Sequence, residues 1–283
     1  MTDISPRVVL FDLDDTLFAH RNAVAEGILR HMQMAGGVFG TAEPAAAITL
    51  WNSLEEEHYH SYLAGRLDFQ GQRRARARDF AAAHGVELDE ADAGAWFDAY
   101  FVHYQESWNL HEDALPCLDA LEQAGVRLGL ITNGDLAFQR RKLQATGLES
   151  RFEQVVASGS VGVAKPDPAI FILACELFGV APASAVYVGD RLRTDAIGAA
   201  SAGLTGVWLD RHGASEATLA SAEASKASPA ASTPPVAGVG TLEAPGAAGA
   251  AEAAETAEAA RLGVIRITGL AELPAVLNLP RSH

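Results

Sequence analysis

Cysteine is nearly absent: Cys117 and Cys175 are the only two in 283 residues, too few for a disulfide framework or a cysteine-rich zinc site. Positive charge is also scarce. Lys and Arg number 21 against 36 Asp and Glu, a formal charge of −15. A chain with that balance repels polyanions, which argues against binding a nucleic-acid polymer or an anionic membrane surface. Apart from Ala-rich stretches there is no uncharged apolar run approaching about 18 residues, so no membrane span is expected. The opening Met1-Thr2-Asp3-Ile4-Ser5-Pro6 lacks the basic and apolar regions of a signal peptide, and the expected compartment is the cytoplasm. Neither a Gly-x-x-x-x-Gly-Lys-Ser/Thr loop nor a Gly-x-Gly-x-x-Gly turn occurs, so the usual nucleoside-triphosphate and dinucleotide cradles are missing.

What is present is an ordinary globular mixture, 49% hydrophobic and 20% charged. The chain is long enough for about two domains. Short apolar runs, Arg7–Phe11, Val126–Ile131, Gln154–Ala157, Ala185–Val188 and Gly206–Leu209, each break into a polar cluster, as buried strands do on entering loops. Between them lie segments of helical length, Asp113–Ala124, Leu136–Thr146, Asp167–Phe178 and Thr194–Ala202, each followed by a glycine placed to end it. Strands alternating with helices predict an α/β fold, a Rossmann-like parallel sheet flanked by helices. Its sites lie beyond the carboxyl ends of the strands, where these polar clusters fall.

Two regions break the alternation. Leu17–His111 reads as helices without a strand, among them Ala45–Leu63, Gln70–His84 and Asp89–Trp108, and holds 13 of the 20 aromatics and seven of the nine histidines. Such a block needs its own core and is expected to be an inserted α-helical cap domain, residues 18–111, with 1–17 and 112–283 forming the α/β core. Ala214–Ala260 holds 19 alanines, no aromatic, six glutamates and one lysine. With so little bulky apolar surface its default is disorder, with a transient helix over Gly249–Arg261. Val264–Thr268 and Gly269–Leu277 then read as a last strand and helix of the core.

The first polar cluster is Asp12-Leu13-Asp14-Asp15-Thr16. As a bland alternative it is a solvated acidic turn. The spacing offers more, because carboxylates two residues apart at a strand end can face one side. One can then attack an electrophile while the other handles a proton. Carboxylates so placed repel an incoming phosphate unless a divalent cation sits between them, and hard oxygen donors suit Mg²⁺. Thr132, Asn133 and Gly134 offer a hydroxyl, an amide and backbone N–H groups to phosphoryl oxygens, though a strand-Thr-Asn turn is common. Lys165, ahead of Pro166-Asp167-Pro168, is presented on a stiff backbone and can offset a phosphate's charge, or can be an ordinary loop lysine. Asp190 would complete a metal site and Asp195 could support it or bond Lys165; alternatively both are acids at a helix start.

Together, Phe11-Asp12-Leu13-Asp14-Asp15-Thr16-Leu17, Ile131-Thr132-Asn133-Gly134, Lys165-Pro166-Asp167-Pro168 and Val188-Gly189-Asp190 with Asp195 resemble the haloacid dehalogenase superfamily of phosphohydrolases. The likeness is to the branch with a helical cap after the first strand, and covers about residues 7–211 and 264–280. The resemblance implies that Asp12 is the nucleophile, forming an aspartyl-phosphate. It makes Asp14 the general acid for the leaving alcohol and then the base for water, with its pKa tuned upward for the first role. It also implies Mg²⁺ held by Asp12, Asp190 and the Asp14 backbone carbonyl, a phosphoryl group held by Thr132 and Lys165, and support from Thr16 and Asp195. The expected substrate is a small phosphorylated metabolite. Dehalogenases in this family carry no acid two residues after the nucleophile, because a halide leaves without a proton, so Asp14 favours phosphate-ester cleavage over a 2-haloacid dehalogenase. Arg193 departs from the small or acidic residues often seen between these acids. A phospho-receiver domain is disfavoured by length and by the helical block. A catalytically silent regulatory protein on the same fold remains the rival from another class.

Of the other features, Arg73, Arg74, Arg76 and Arg78 read as a solvated helix face, with a substrate-contacting arginine as the alternative. Trp51, Tyr59, Trp96 and Trp108 read as core. His58 and His60 point to different helix faces and make no zinc pair, and the two cysteines are expected to be buried in helices.

Overall fold

The computed structural model describes residues 6–211, 213 and 247–279. In chain order these form β1 (Val8–Phe11), α1 (His20–Ala35), α2 (Gly37–Gly40), α3 (Pro44–Leu63), α4 (Phe69–Ala83), α5 (Glu90–Glu106), α6 (Ala114–Gln123), β2 (Arg127–Thr132), α7 (Leu136–Ala145), β3 (Gln154–Ala157), α8 (Ser158–Val161), α9 (Pro168–Phe178), β4 (Ala185–Gly189), a π-helical turn (Leu192–Ile197), α10 (Gly198–Ser201) and β5 (Thr205–Leu209). A helix over Ala247–Leu262 and β6 (Ile265–Ile267) follow. The chain divides into two compact units, one of Met1–Leu17 with Leu110–His283 and one of Phe18–Asn109.

The first unit is built on a six-stranded sheet in the order β3-β2-β1-β4-β5-β6, parallel throughout. β1 and β4 are buried at every residue, the continuous apolar pattern of strands covered on both faces. One layer of core joins Val8, Leu10 and Tyr187 to Ile170, Phe171 and Phe178 of α9. Each such side chain contributes about 1.5–3 kcal/mol when fully buried. At Gly129 a Cβ would stand 2.6 Å from Leu10 Cδ2 and 2.7 Å from Phe178 Cε2, so β2 accepts α9 only with glycine there. Pro168 occupies the first turn of α9, Asp167 caps it through the Ala169 N–H, and Gly179 ends it at φ 66°. This is the Rossmann-like parallel fold that the sequence pattern predicts. The strand order reverses between β1 and β4, and a doubly wound sheet places its site beyond the strand ends at such a point.

Thr194–Ala202 differs from its expected regular helix. It begins two residues earlier as a π-helical turn, in which the Asp195 and Ala196 N–H groups both donate to Arg191 O. The widened turn keeps the Asp195 side chain buried, with only 1% exposed. The Ala-rich stretch also differs in part. Residues 214–246 lie outside the described residues, and Ala247–Leu262 is a continuous helix that extends slightly beyond the transient one expected over Gly249–Arg261. Ala and Glu favour helix, and Arg193 donates to Glu255 at 2.8 Å and Glu258 at 3.0 Å, anchoring one face.

The second unit is helical. Its capping is legible in the sequence: Glu43, Asp68 and Asp89 accept from the Ala46, Gly71 and Asp92 N–H groups at the starts of α3, α4 and α5. Trp51 is fully buried, 5.2 Å from the Phe80 ring and 4.6 Å from Tyr100. Tyr59 instead lies at the surface, beside Tyr62. The arginine run is not uniformly solvated. Arg76 is buried over the Trp51 ring and donates to Glu55, because an aromatic face and a carboxylate together replace its water. Arg73 lies over Phe69, Phe97 and Phe101. His58 is taken up by Asp79 at 2.8 Å, and both cysteines are buried.

His31 carries a consequence for stability. Burial, with His103 adding to it, pushes its imidazole down to about 4. The unfolded chain therefore binds a proton that the folded unit refuses between about pH 6.5 and pH 4, so stability falls as pH drops through that window. Thermal melts should show an acid-side loss that is smaller in His31→Leu, and parallel pH profiles for the two proteins would refute this.

Candidate active site

Asp12 continues the β1 ladder by one residue, its N–H donating to Val188 O at 2.9 Å. That bond fixes the carboxylate at the mouth of the sheet, where it is only 7% exposed. The chain then bends through Asp15 at φ 61°, which brings Thr16 back toward β4. The buried Thr16 hydroxyl accepts from the Asp190 N–H at 3.1 Å and makes a long 3.4 Å contact to Asp12 Oδ2. Two strand ends are thereby tied together by one side chain.

Lys165 Nζ is the hub. It donates to Asp12 Oδ1 at 2.6 Å, to Asp195 Oδ1 at 2.8 Å and to Tyr187 Oη at 2.8 Å. All four groups are buried. Asp195 Oδ2 accepts from the Arg191 N–H, and the Tyr187 hydroxyl is within 3.1 Å of Ile131 O. Only glycine fits at 189, since a Cβ there would overlap the Asp195 carboxyl. Asn133, expected to face a phosphoryl group, instead brackets the Lys165 backbone: its Oδ1 accepts from the Lys165 N–H and its Nδ2 donates to Lys165 O, both at 2.9 Å. Thr132 is buried at the end of β2, its Oγ1 accepting from Gln139 Nε2 at 2.8 Å.

Charge in this cluster is unbalanced. Asp12, Asp190 and Asp195 offer carboxylate oxygens all within 4.8 Å of one another. Burial, followed by Asp195 and Asp14 and opposed by Lys165, pushes Asp12 up to about 7. Burial, Asp12 and Asp195 push Asp190 well above the usual carboxylate range. Burial alone would lower the Lys165 ammonium, but Asp12 and Asp195 outweigh it and hold it above its ordinary value. Three clustered acids, two of them buried and shared with one lysine, call for a further cation, and their hard oxygens fit a divalent one such as Mg²⁺. Asp195 is the least suited donor of the three, because Lys165, Tyr187 and the Arg191 N–H already engage its oxygens. Asp12 and Asp190 are the better ligands. Among the described residues this is the one metal-type cluster.

Asp14 stands apart from that hub. Its Oδ1 accepts from Lys142 Nζ at 2.6 Å and its Oδ2 from Gln139 Nε2 at 3.0 Å. Both oxygens of the Asp14 carboxyl are therefore engaged, which fixes its position. Lys142, Gln139 and Tyr187 are not among the residues the sequence reading selects. Gln139 and Lys142 occupy the buried face of α7 beside Leu143, where side chains are ordinarily apolar, and only the folded chain shows that this face is the buried one.

The chain is 33% identical over 212 residues to N-acylneuraminate-9-phosphatase of Rattus norvegicus, covering 73% of this chain and 84% of that one. It is 34% identical over 218 residues to glyceraldehyde 3-phosphate phosphatase of Methanopyrus kandleri, covering 72% and 84%. Among solved structures, YfnB of Bacillus subtilis bound to magnesium superposes with a TM-score of 0.67 at 19% identity, over 97% of this chain and 99% of that one. L-2-haloacid dehalogenase of Xanthobacter autotrophicus gives 0.61 at 21%, over 96% and 98%, so the fold is shared with it as well. The model of the haloacid dehalogenase-like hydrolases matches residues 6–203, and the chain belongs to that family.

Proposed function

We propose that this chain is a Mg²⁺-dependent phosphomonoesterase, cleaving a small phosphorylated metabolite through an aspartyl-phosphate on Asp12. The observation that carries the reading is Asp14, a second carboxylate two residues beyond the Lys165-bound Asp12 and fastened to separate partners. A haloacid substrate would give such a residue nothing to do, since halide departs without a proton. The two relatives described above, at 33% and 34% identity, are named as phosphatases, which supports the same choice.

On this reading Asp12 attacks phosphorus in line with the leaving oxygen. Lys165 neutralises the nucleophile and then the transferred group, and Asn133 and Asp195 keep it in place. The Thr132 hydroxyl, already accepting from Gln139, has its own proton to donate to a phosphoryl oxygen. Asp14 protonates the departing alkoxide and later takes a proton from the attacking water. Asp12, Asp190 and the Asp14 carbonyl would hold Mg²⁺, which supplies charge neutralisation and orientation of the phosphoryl oxygens. The inserted helical unit is read as a cap that selects the leaving group.

The test is release of inorganic phosphate from p-nitrophenyl phosphate, N-acylneuraminate 9-phosphate, glyceraldehyde 3-phosphate and phosphoserine. Parallel reactions score halide from chloroacetate. Turnover should require Mg²⁺, vanish with EDTA and return on adding the metal back. Halide release, or phosphate release indifferent to EDTA, would refute the proposal. No described helix is long and apolar enough to cross a membrane.

A further inference from the structure

Gln139 and Lys142 occupy positions where the fold alone asks for apolar side chains. α7 is capped by Asp135 through the Phe138 N–H, and its buried face consists of Gln139, Lys142 and Leu143. Leu143 is the ordinary member. Lys142 is only 2% exposed, and a buried ammonium destabilises unless it is paired. Its ion-pair partner is Asp14, at 2.6 Å. Gln139 uses one amide nitrogen twice, toward Asp14 Oδ2 and Thr132 Oγ1, while its Oε1 is buried with no hydrogen-bond partner. Both side chains therefore meet costs that a methionine and a leucine would avoid. What they achieve is geometric: each holds one oxygen of the Asp14 carboxylate, and Gln139 also links that carboxylate to Thr132.

From this we infer that Lys142 and Gln139 are positioning residues for Asp14 that act on the second half-reaction, hydrolysis of the phosphoenzyme. The inference rests on the proposed aspartyl-phosphate reading and adds to it which residues govern its second step. In the first step the Asp12 oxygen bonds to phosphorus, the ester P–O bond breaks, and Asp14 gives its proton to the alkoxide. In the second, a water oxygen bonds to phosphorus and its proton passes to the Asp14 carboxylate. The bond between phosphorus and Asp12 then breaks, returning the Asp12 carboxylate and free phosphate. With one oxygen held by Lys142 and the other by Gln139, the Asp14 carboxyl is fixed in one place to take the proton from water in the second step. Its position also leaves Asp14 half-exposed, with 30% of the side chain open to water, while the lysine itself is sealed.

p-Nitrophenyl phosphate isolates this step, because nitrophenolate leaves without a proton and phosphorylation of Asp12 is then insensitive to Asp14. With the full chain in excess Mg²⁺, Lys142→Met should lose turnover by roughly 10–100-fold, the scale of a misplaced catalytic group. It should also show a burst of nitrophenolate and a steady-state phosphoenzyme fraction raised severalfold over wild type, trapped by acid quench of labelled substrate. Gln139→Leu should move both readouts the same way and less far, and it provides the test if Lys142→Met melts below the assay temperature. Asp14→Asn is the reference that accumulates phosphoenzyme. If Asp14→Asn accumulates label while the Lys142 and Gln139 variants stay at the wild-type fraction, this inference falls and the phosphatase reading stands. If none of the variants labels while the wild type turns over, both fall.

Discussion

Asp12→Asn should abolish phosphate release, lowering kcat on the order of 10⁴-fold or more, with no recoverable phosphoenzyme. The substitution changes almost no volume. Lys165 keeps Asp195 and Tyr187 as partners, so the hub survives with one contact replaced. An amide is a poor nucleophile, and it also removes one of the two carboxylates best placed for the metal. The folded state should not suffer. Asp12 is a buried acid raised to about 7, so in the metal-free protein its ionisation opposes folding as pH rises from about 4 to 7. The neutral variant should therefore melt no lower than wild type at pH 8 without Mg²⁺, and relatively better there than at pH 5. Loss of activity together with equal or higher thermal stability separates a chemical role from a structural one. A variant that retained a tenth of the wild-type rate would contradict the assignment.

Lys165→Met should have the opposite profile, damaging stability and activity together. It removes the cation from among Asp12, Asp195 and the Tyr187 hydroxyl while leaving the acids buried. Breaking one partner from a buried ion pair costs about 3–5 kcal/mol, which in a chain of this size lowers Tm by roughly 6–20 °C. The deficit should shrink at pH 5.5, where Asp12 can take up a proton, and widen at pH 8. Excess Mg²⁺ should recover part of the stability, because a cation bound only by the folded state offsets the same charge. Turnover should stay at background in every condition, since the phosphoryl group has lost its counter-charge. Equal melting temperatures for Lys165→Met and wild type at pH 8 would mean that the hub does not carry this electrostatic load.

The strand ends were the most legible part of this molecule. Apolar runs such as Val8–Phe11 and Ala185–Gly189 are short, continuous and broken by polar residues, so the sheet and the mouth of its site follow from one pattern. Asp12 and Asp190 directly follow β1 and β4, Lys165 and Asp195 lie in the segments after β3 and β4, and the structure brings Asp12, Lys165 and Asp195 into direct contact. Tyr187 lies inside a strand and reads as one more core aromatic; only the tertiary fold shows its hydroxyl at Lys165. Gln139 and Lys142 were hidden differently. On a charged helix, i and i+3 polar residues look like solvent-facing decoration, and which face is buried depends on packing that periodicity alone leaves undetermined. For Asn133 the sequence indicates a site residue but not its contact, because an amide beside a threonine suits a phosphate and a lysine backbone equally well. Arg76 shows the same limit within the helical unit: four arginines in six residues suggest a solvated face, yet one of them is buried against Trp51 and Glu55.

The account turns on a covalent bond between Asp12 and phosphorus, and that bond can be located. The wild-type enzyme, mixed with Mg²⁺ and phosphate-labelled substrate and quenched in acid within its first turnovers, should yield a base-labile acyl phosphate on the peptide that contains Asp12. Label on another residue, or rapid turnover with none trapped there in wild type or in Asp14→Asn, would contradict it.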